Sequence, residues 1–301
     1  MSEVGKLPQD IKSFELREDL SSIKAVSTWT RLRRSPSAMI GLVLIIILIL
    51  MAISADFITP QGINEQSLRN GFIPPGSNYW LGTDEFGRDM YSRIVHGSRI
   101  SLQVGIIATS ISAVVGISLG LVAGYFGGKI DSLIQGMIDI SWAFPTVLLA
   151  LFLIAIMGPG LVNLMIAVGL SYWGGFARVV RGQVLSLREW EFVTAAKSVG
   201  ASDFRIITRY ILPNLLPPVI VLSTLMMADA ILIESTLSFL GMGAQPPIPS
   251  WGSILSSGRS HMRRAAWVTV YPGIAIMLTV LGFNLLGDGL RDALDPRLRN
   301  T

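Results

Sequence analysis

The chain has 301 residues, 51% of them apolar and only 15% charged, with a formal net charge of +4. That balance excludes an ordinary soluble domain and points to an integral membrane protein. The absence of cysteine excludes disulfides and thiolate chemistry, and two widely separated histidines, His96 and His261, speak against a histidine-rich metal site.

Residues 1 to about 25 mix charges with few large apolar groups and are expected to be mobile. The first apolar run begins only after residue 36, so no cleavable signal peptide is expected. Residues 26–36 set Trp29 and three arginines against that run. Arginine there marks the cytoplasmic side and tryptophan the interface. An uncharged run of 20 residues, Pro36 to Ala55, is long enough for a first crossing. Residues 56–100 read as a polar external segment.

A second uncharged run, 28 residues from Ser101 to Gly128, holds the second crossing. Within it Gly116, Gly120, Gly124 and Gly128 recur every fourth residue, forming one stripe. Such a stripe lets another helix come close, whereas glycines merely filling a lipid-facing helix would not keep register. The third crossing is expected over about 130–156 with Pro145 inside it. Gly158-Pro159-Gly160 reads as a tight turn. The fourth crossing, about 161–180, ends with Arg178 and Arg181.

The stretch Glu191 to Asn214, EFVTAAKSVGASDFRIITRYILPN, is a long polar insertion between two apolar spans. Leu187, Trp190, Val193 and Ala196 or Lys197 fall at helical spacing. Gly200 stands where a helix would end with positive φ. Ser202 and Asp203 read as the cap and first turn of a second helix. Pro213 is expected to end that helix near Asn214. Ala195 and Ala196 are small enough for a partner surface to approach the backbone. The same Ala-Ala and Gly spacing fits a DNA-binding helix-turn-helix, but the flanking apolar spans place it on a membrane face. An ordinary interfacial loop is the plainer alternative. A fifth crossing follows over about 215–241, then a loop carrying Pro246, Pro247, Pro249 and Trp251. The uncharged run from Ala265 to Gly287, 23 residues, makes the sixth.

With both ends inside, 17 of the 24 lysines and arginines lie in internal segments and 7 outside. That bias supports an even number of crossings with the 191–214 stretch in the cytoplasm. Arg88, Arg93 and Arg99 fall outside, where Asp84, Glu85 and Asp89 are near enough in sequence to compensate them in part.

Chemistry is sparse. The nearest approach to a phosphate-binding loop is Gly127-Gly128-Lys129, with Ala123 where the first glycine should be and Ile130 where the hydroxyl should be. Within the spans the candidate acids are Asp139, Asp229 and Glu234. Charge at membrane depth is costly, so these should face the bundle or a wet cavity. They read equally as a pathway or gate and as structural pairing, with Asn284 or serine neighbours as partners.

The 194–213 segment resembles the coupling loop of bacterial ATP-binding-cassette importer permeases, whose pattern is E-A-A-x3-G-x9-I-x-L-P. Here it reads Thr194-Ala195-Ala196, Gly200, and Tyr210-x-Leu212-Pro213. Thr194 stands for the glutamate and Tyr210 for the isoleucine, while Glu191 offers an acid one turn earlier. LGTDEFGRDMYSRIVHGSRISL (81–102), LSFLGMGAQPPIPSWG (237–252) and LGFNLLGDGLRDALDPRLR (281–299) resemble the signature of dipeptide and oligopeptide importer permeases, in their second, C-type membrane subunit.

The resemblance implies an all-α integral membrane protein with six transmembrane helices and the type I importer permease fold. It divides the chain into a cytoplasmic tail and interfacial segment (1–36), a first helix with an extracytoplasmic segment (37–100), and a five-helix transport core (101–301) whose coupling loop is 187–213. It assigns ATPase coupling to Glu191, Thr194, Ala195, Ala196, Gly200, Ala201, Ser202, Asp203, Leu212 and Pro213. Implied partners are a second homologous permease, two ATPase subunits, an extracytoplasmic binding protein and membrane lipid, with no nucleic acid. ATP and Mg belong to the ATPases, so this chain is not an enzyme and holds no cofactor. The location is a bacterial inner membrane with both termini cytoplasmic. Peptides are the expected cargo; relatives carry nickel chelates, glutathione or oligosaccharides. An ion-driven secondary transporter is the alternative class, but no clear internal repeat supports it.

Overall fold

The computed structural model describes residues 28–294. The expected mobility of the N-terminal tail, and the last residues of the 281–299 signature, lie outside them.

Ser35 starts the first crossing: its hydroxyl caps the amide of Ala38, and Pro36 sits at the first helical position, where no donor is missed. A short basic helix, α1 (Thr28–Arg34), precedes it. In α2 (Pro36–Ile53), Ile40, Val43, Ile47 and Leu50 face outward as a lipid surface would require, while Ala38, Gly41, Ile45, Leu48 and Ala52 are buried. The buried stripe meets the last helix, α10 (Trp267–Leu294). A Cβ on Gly41 would stand 2.6 Å from the backbone nitrogen of Leu286, and one on Gly289 only 2.2 Å from Cβ of Ala38. Small residues on both sides set this close crossing.

Asp89 caps α3 (Met90–Phe126), accepting from the amide of Ser92 at 2.8 Å and its hydroxyl at 2.6 Å. At 37 residues this helix is about 55 Å long. Its first turns therefore stand within the stretch expected to be a polar external segment.

The third crossing is broken. α4 (Gly128–Trp142) and α5 (Thr146–Met157) meet at 90°. Pro145 has no amide hydrogen to donate and pushes Phe144 out of helical conformation, so the axis turns there. Gly158 (φ +88°) and Gly160 (φ +151°) then form the expected turn, tied by Asn163 Nδ2 donating to the carbonyls of Met157 and Gly158. α6 (Leu161–Leu187) runs seven residues beyond its expected end.

The 191–214 stretch forms α7 (Glu191–Ser198) and the start of α8, a continuous helix over Asp203–Phe239. Leu187 and Trp190 do not share a helix with Ala196; the chain turns between α6 and α7. Pro213 does not end the helix, contrary to expectation. A π turn over Ile207–Ile211, with the amide of Leu212 donating to Ile207, widens the coil there. Asn214 Nδ2 donates to the Tyr210 carbonyl at 2.6 Å, supplying a side-chain donor next to the proline that has none. A short helix, α9 (Trp251–Gly258), capped by the reciprocal pair Ser250 and Ser253, precedes α10.

Four of these helices (α2, α3, α8 and α10) are long and apolar enough to cross a membrane, and the bent α4–α5 pair counts as a fifth crossing if taken as one span. α6 has the length at 27 residues, about 40 Å, but is less apolar.

The segments before α3 and between α8 and α10 join into a cap. Thr83 Oγ1 donates to the Asn70 carbonyl and accepts from the amide of Ile73. Asp84 takes the amides of Phe86 and Arg88 and the guanidinium of Arg88 at 2.6 Å, with Arg93 at 3.7 Å. Arg99 is compensated from elsewhere: it binds Asp56 at 2.8 Å and the carbonyls of Ala52 and Ile53 at the end of α2. The hydrogen bonds from the Arg99 guanidinium to Asp56 hold its carboxyl below the usual carboxylate range. The fully buried Trp251 donates from Nε1 to the carbonyl of Ile94 at 2.9 Å, and Trp267 to that of Thr83 at 3.0 Å. Two of the signature segments are thereby joined to each other, and the start of α10 is held to the first of them.

Candidate functional site

Gly200 ends α7 in the left-handed region at φ +79°, as its position predicts. The amide of Ala201 returns to the carbonyl of Ala196 at 3.1 Å and that of Gly200 to Lys197 at 2.9 Å, the pattern of a glycine-terminated helix. Ser202 is the N-cap residue of the next helix but makes no side-chain capping bond. Asp203 instead accepts from Tyr125 Oη at 2.6 Å, and Lys197 lies over the same ring at 5.5 Å. Arg188 donates to the carbonyl of Gly124 at 3.1 Å. The element is thus fastened to the end of α3 on both sides.

Its inner face is Val193, Ala196, Ile206 and Ile211, buried against Val180, Val184 and Leu187 of α6. Phe192 stacks on Tyr210, the residue that departs from the isoleucine of the pattern. Ala196 is only 6% exposed and packs inward, so it is not a contact surface; Ala195 beside it is open. Glu191, Thr194 and Asp203 are exposed as well, and Pro213 with them, while Ala201 and Leu212 are half-buried. The most exposed apolar side chains of the element are Val199, 84% exposed, and Phe204, 77% exposed. Sequence reasoning missed both, because an apolar residue within an amphipathic element reads by default as core.

The glycine stripe meets α6 within this chain. A Cβ on Gly116 would stand 2.4 Å from Cβ of Phe176 and 2.5 Å from the Trp173 carbonyl oxygen. Gly120 and Gly124 lie equally close to Ala177, Val180 and Val184. Gly128 does not belong to the stripe: α3 has ended at Phe126, and Gly128 has φ +58° with nothing among the described residues within 4 Å of an added Cβ.

The three intramembrane acids have separate environments. Glu234 is fully buried on α8, taking hydrogen bonds from Ser238 at 2.7 Å, Ser235 at 3.3 Å and Ser101 at 3.5 Å. These contacts fit the structural-pairing reading of Glu234, with serines as its partners. Asp229, on the same helix, is exposed. Asp139 binds Arg178 at 2.9 Å, joining α4 to α6, and the Arg178 guanidinium lies 3.9 Å from the centre of the Trp142 ring. Deeper toward the end of α6, Arg181 grips Asp131 with two bonds, at 2.5 and 2.7 Å. Asn284 has no bond to any of these acids among the described residues.

The family described as "Binding-protein-dependent transport system inner membrane component" matches residues 116–300, and "N-terminal TM domain of oligopeptide transport permease C" matches 26–75. The chain is 47% identical over 280 residues to the dipeptide transport system permease protein DppC of Alkalihalophilus pseudofirmus, covering 92% of each. It is 43% identical to the dipeptide permease of Bacillus subtilis, covering 90% of this chain and 85% of that one. It is 44% identical to the glutathione transport system permease protein GsiD of Escherichia coli, covering 90% of both. Among solved structures, an inward-facing methionine transporter, MetNI, matches with a TM-score of 0.55 over 68% of this chain and 97% of that one, at 19% identity. That last likeness speaks for the fold alone.

Proposed function

This chain belongs to the family of binding-protein-dependent transport system inner membrane components, and from that premise we propose that it is the C-type permease subunit of an ATP-driven importer of di- and oligopeptides. The observation that carries the substrate reading is the near full-length similarity to permeases named for dipeptide transport. The similar match to a glutathione permease favours a second reading within the same chemistry, since glutathione is itself a short peptide. ATP hydrolysis belongs to separate subunits of such importers.

In this reading the chain pairs with a homologous permease, two ATPases and an extracytoplasmic binding protein. Residues 191–206 dock on an ATPase, with Val199 and Phe204 as the apolar contacts and Thr194 and Ala195 beside them. Closure of the ATPases on ATP draws the docked elements together, and the helices rock as rigid bodies to alternate access. Fastening through Tyr125 and Arg188 supports this: a displacement of α7 is passed to α3 rather than absorbed in a slack loop. Mass spectrometry of the ligand held by the binding protein, and uptake into vesicles with ATP against an ion gradient, test the proposal. Uptake driven by the gradient alone would replace it with a secondary carrier.

Orientation has its own test. Cysteines at Ser77 and Ser257, both exposed, should react with an impermeant thiol reagent from outside, and one at Ser202 only after the membrane is opened. The chain has no native cysteine to interfere. Labelling of the Ser202→Cys variant in sealed cells would reverse the assigned topology.

A further inference from the structure

Seven lysines and arginines fall on the side read as external, against the bias that sets the orientation. Three of them are matched with acids: Arg88 and Arg93 with Asp84, and Arg99 with Asp56. Of the others, Arg69 stands singly, and three gather between α9 and α10. Residues 259–264 there read RSHMRR, and Arg259, Arg263 and Arg264 are all exposed. None of the three has an acidic partner among the described residues; Glu85, the acid beside the segment, stands against His261 at 3.4 Å. The Arg259 guanidinium lies 5.6 Å from the centre of the Phe239 ring, and that of Arg264 4.9 Å from the centre of Phe72. An aromatic face steadies a guanidinium and leaves the donors at its edge open. His261 packs on the same Phe72 ring at 4.8 Å. These contacts seat the cluster on the cap, not on the apolar run that starts at Ala265. A protein surface therefore suits it better than a layer of lipid headgroups. Three like charges so close repel one another, and an opposing acidic surface relieves that repulsion.

We propose that this arginine cluster is the docking point for an acidic face of the extracytoplasmic binding protein. Complementary charge of this kind speeds encounter and fixes orientation more than it tightens the finished contact. The inference rests on the importer reading and the orientation given above. Labelling of Ser257→Cys, two residues before the cluster, tests that orientation separately.

The test uses the permease assembled with its partner permease and ATPases in phosphatidylcholine nanodiscs, titrated with purified binding protein loaded from a casein digest. The readout is the binding-protein concentration that gives half-maximal stimulation of ATP hydrolysis, together with the maximum reached. In the triple variant Arg259→Gln, Arg263→Gln, Arg264→Gln the half-stimulating concentration should rise about tenfold at low salt, the lower end of what electrostatic steering supplies, with the maximum unchanged. Added salt should raise the wild-type value toward that of the variant, because screening removes the attraction. The corresponding triple lysine variant keeps the charge and should recover most of the loss. Met262→Glu leaves the arginines on their rings and sets a negative charge among them at a position 54% exposed; it should shift the value in the same direction. If the triple glutamine variant does not assemble, Met262→Glu decides alone. An unchanged half-stimulating concentration overturns the proposal. So does a shift that persists undiminished at high salt, or a fall in the maximum alone, since both mark a structural role. A shift seen only in nanodiscs containing phosphatidylglycerol assigns the cluster to anionic lipid instead. If loaded binding protein stimulates the wild-type importer at no concentration, the importer reading itself fails, and this inference with it.

Discussion

Gly116→Leu should leave almost no correctly folded permease. The new Cβ alone would stand 2.4 Å from Cβ of Phe176 and 2.5 Å from the Trp173 carbonyl oxygen, and the rest of the leucine has to go further. A flexible side chain could swing away, but a backbone oxygen cannot. Overpacking a core usually costs about 1–3 kcal/mol. Here the loss should exceed that, because α3 and α6 must separate along a shared length that Gly120 and Gly124 also keep close. The defect is internal to this chain, so it should appear in the permease expressed without its partners. Thermal unfolding in detergent and resistance to protease measure it. Gly136→Ala is the control: it lies inside α4 with nothing within 4 Å of an added Cβ, and should be neutral. Wild-type melting for Gly116→Leu would show that the helices do not rely on this contact.

The double variant Val199→Asp with Phe204→Asp should uncouple transport while leaving the permease folded. Both side chains are exposed, at 84% and 77%, so the fold loses little by their change. If they enter a cleft on the ATPase, two carboxylates would be buried there without partners, at several kcal/mol or more. Stimulation of ATP hydrolysis by loaded binding protein should then vanish together with uptake, and the ATPases should be lost on purification. Thr194→Glu, which restores the acid of the family pattern at an exposed position, should be tolerated. Ala196→Glu is a poor probe of docking, because Ala196 is buried under its own helix and a charge there disrupts the permease first. Full stimulation and uptake in the double aspartate variant would remove this element from the coupling role.

Much of this architecture could be read from the sequence. Hydrocarbon thickness demands long apolar runs, so the spans headed by Pro36, Ser101 and Ala265 could be found by counting. Glycine alone tolerates positive φ cheaply, so the turn at Gly200 and the one around Gly158 were visible too. The stripe Gly116, Gly120, Gly124 announced a close contact, because period four repeats on one helix face. What that contact touches is not a local property: the partner, α6, begins 45 residues later, and nothing in the spacing distinguishes it from another subunit. Pro213 misled for a related reason. A proline forbids one amide bond, but whether the helix stops or widens into a π turn depends on tertiary packing over Ile206, Ile211 and Leu215. The direction of each side chain in the 191–206 element was equally hidden. Ala195 and Ala196 are identical in sequence terms, and only the packing of α7 on α6 turns one outward and the other in. The acids show the same division. Their composition alone placed them away from lipid, since charge in hydrocarbon is costly. Ser235 and Ser238 stand 1 and 4 residues from Glu234 on its own helix, but only the assembled helices gave it Ser101 and gave Asp139 its arginine, because those partners lie 133 and 39 residues away along the chain. Periodicity and backbone chemistry are short-range and so are written in order along the chain; which faces meet is set by the folded packing of all the helices at once.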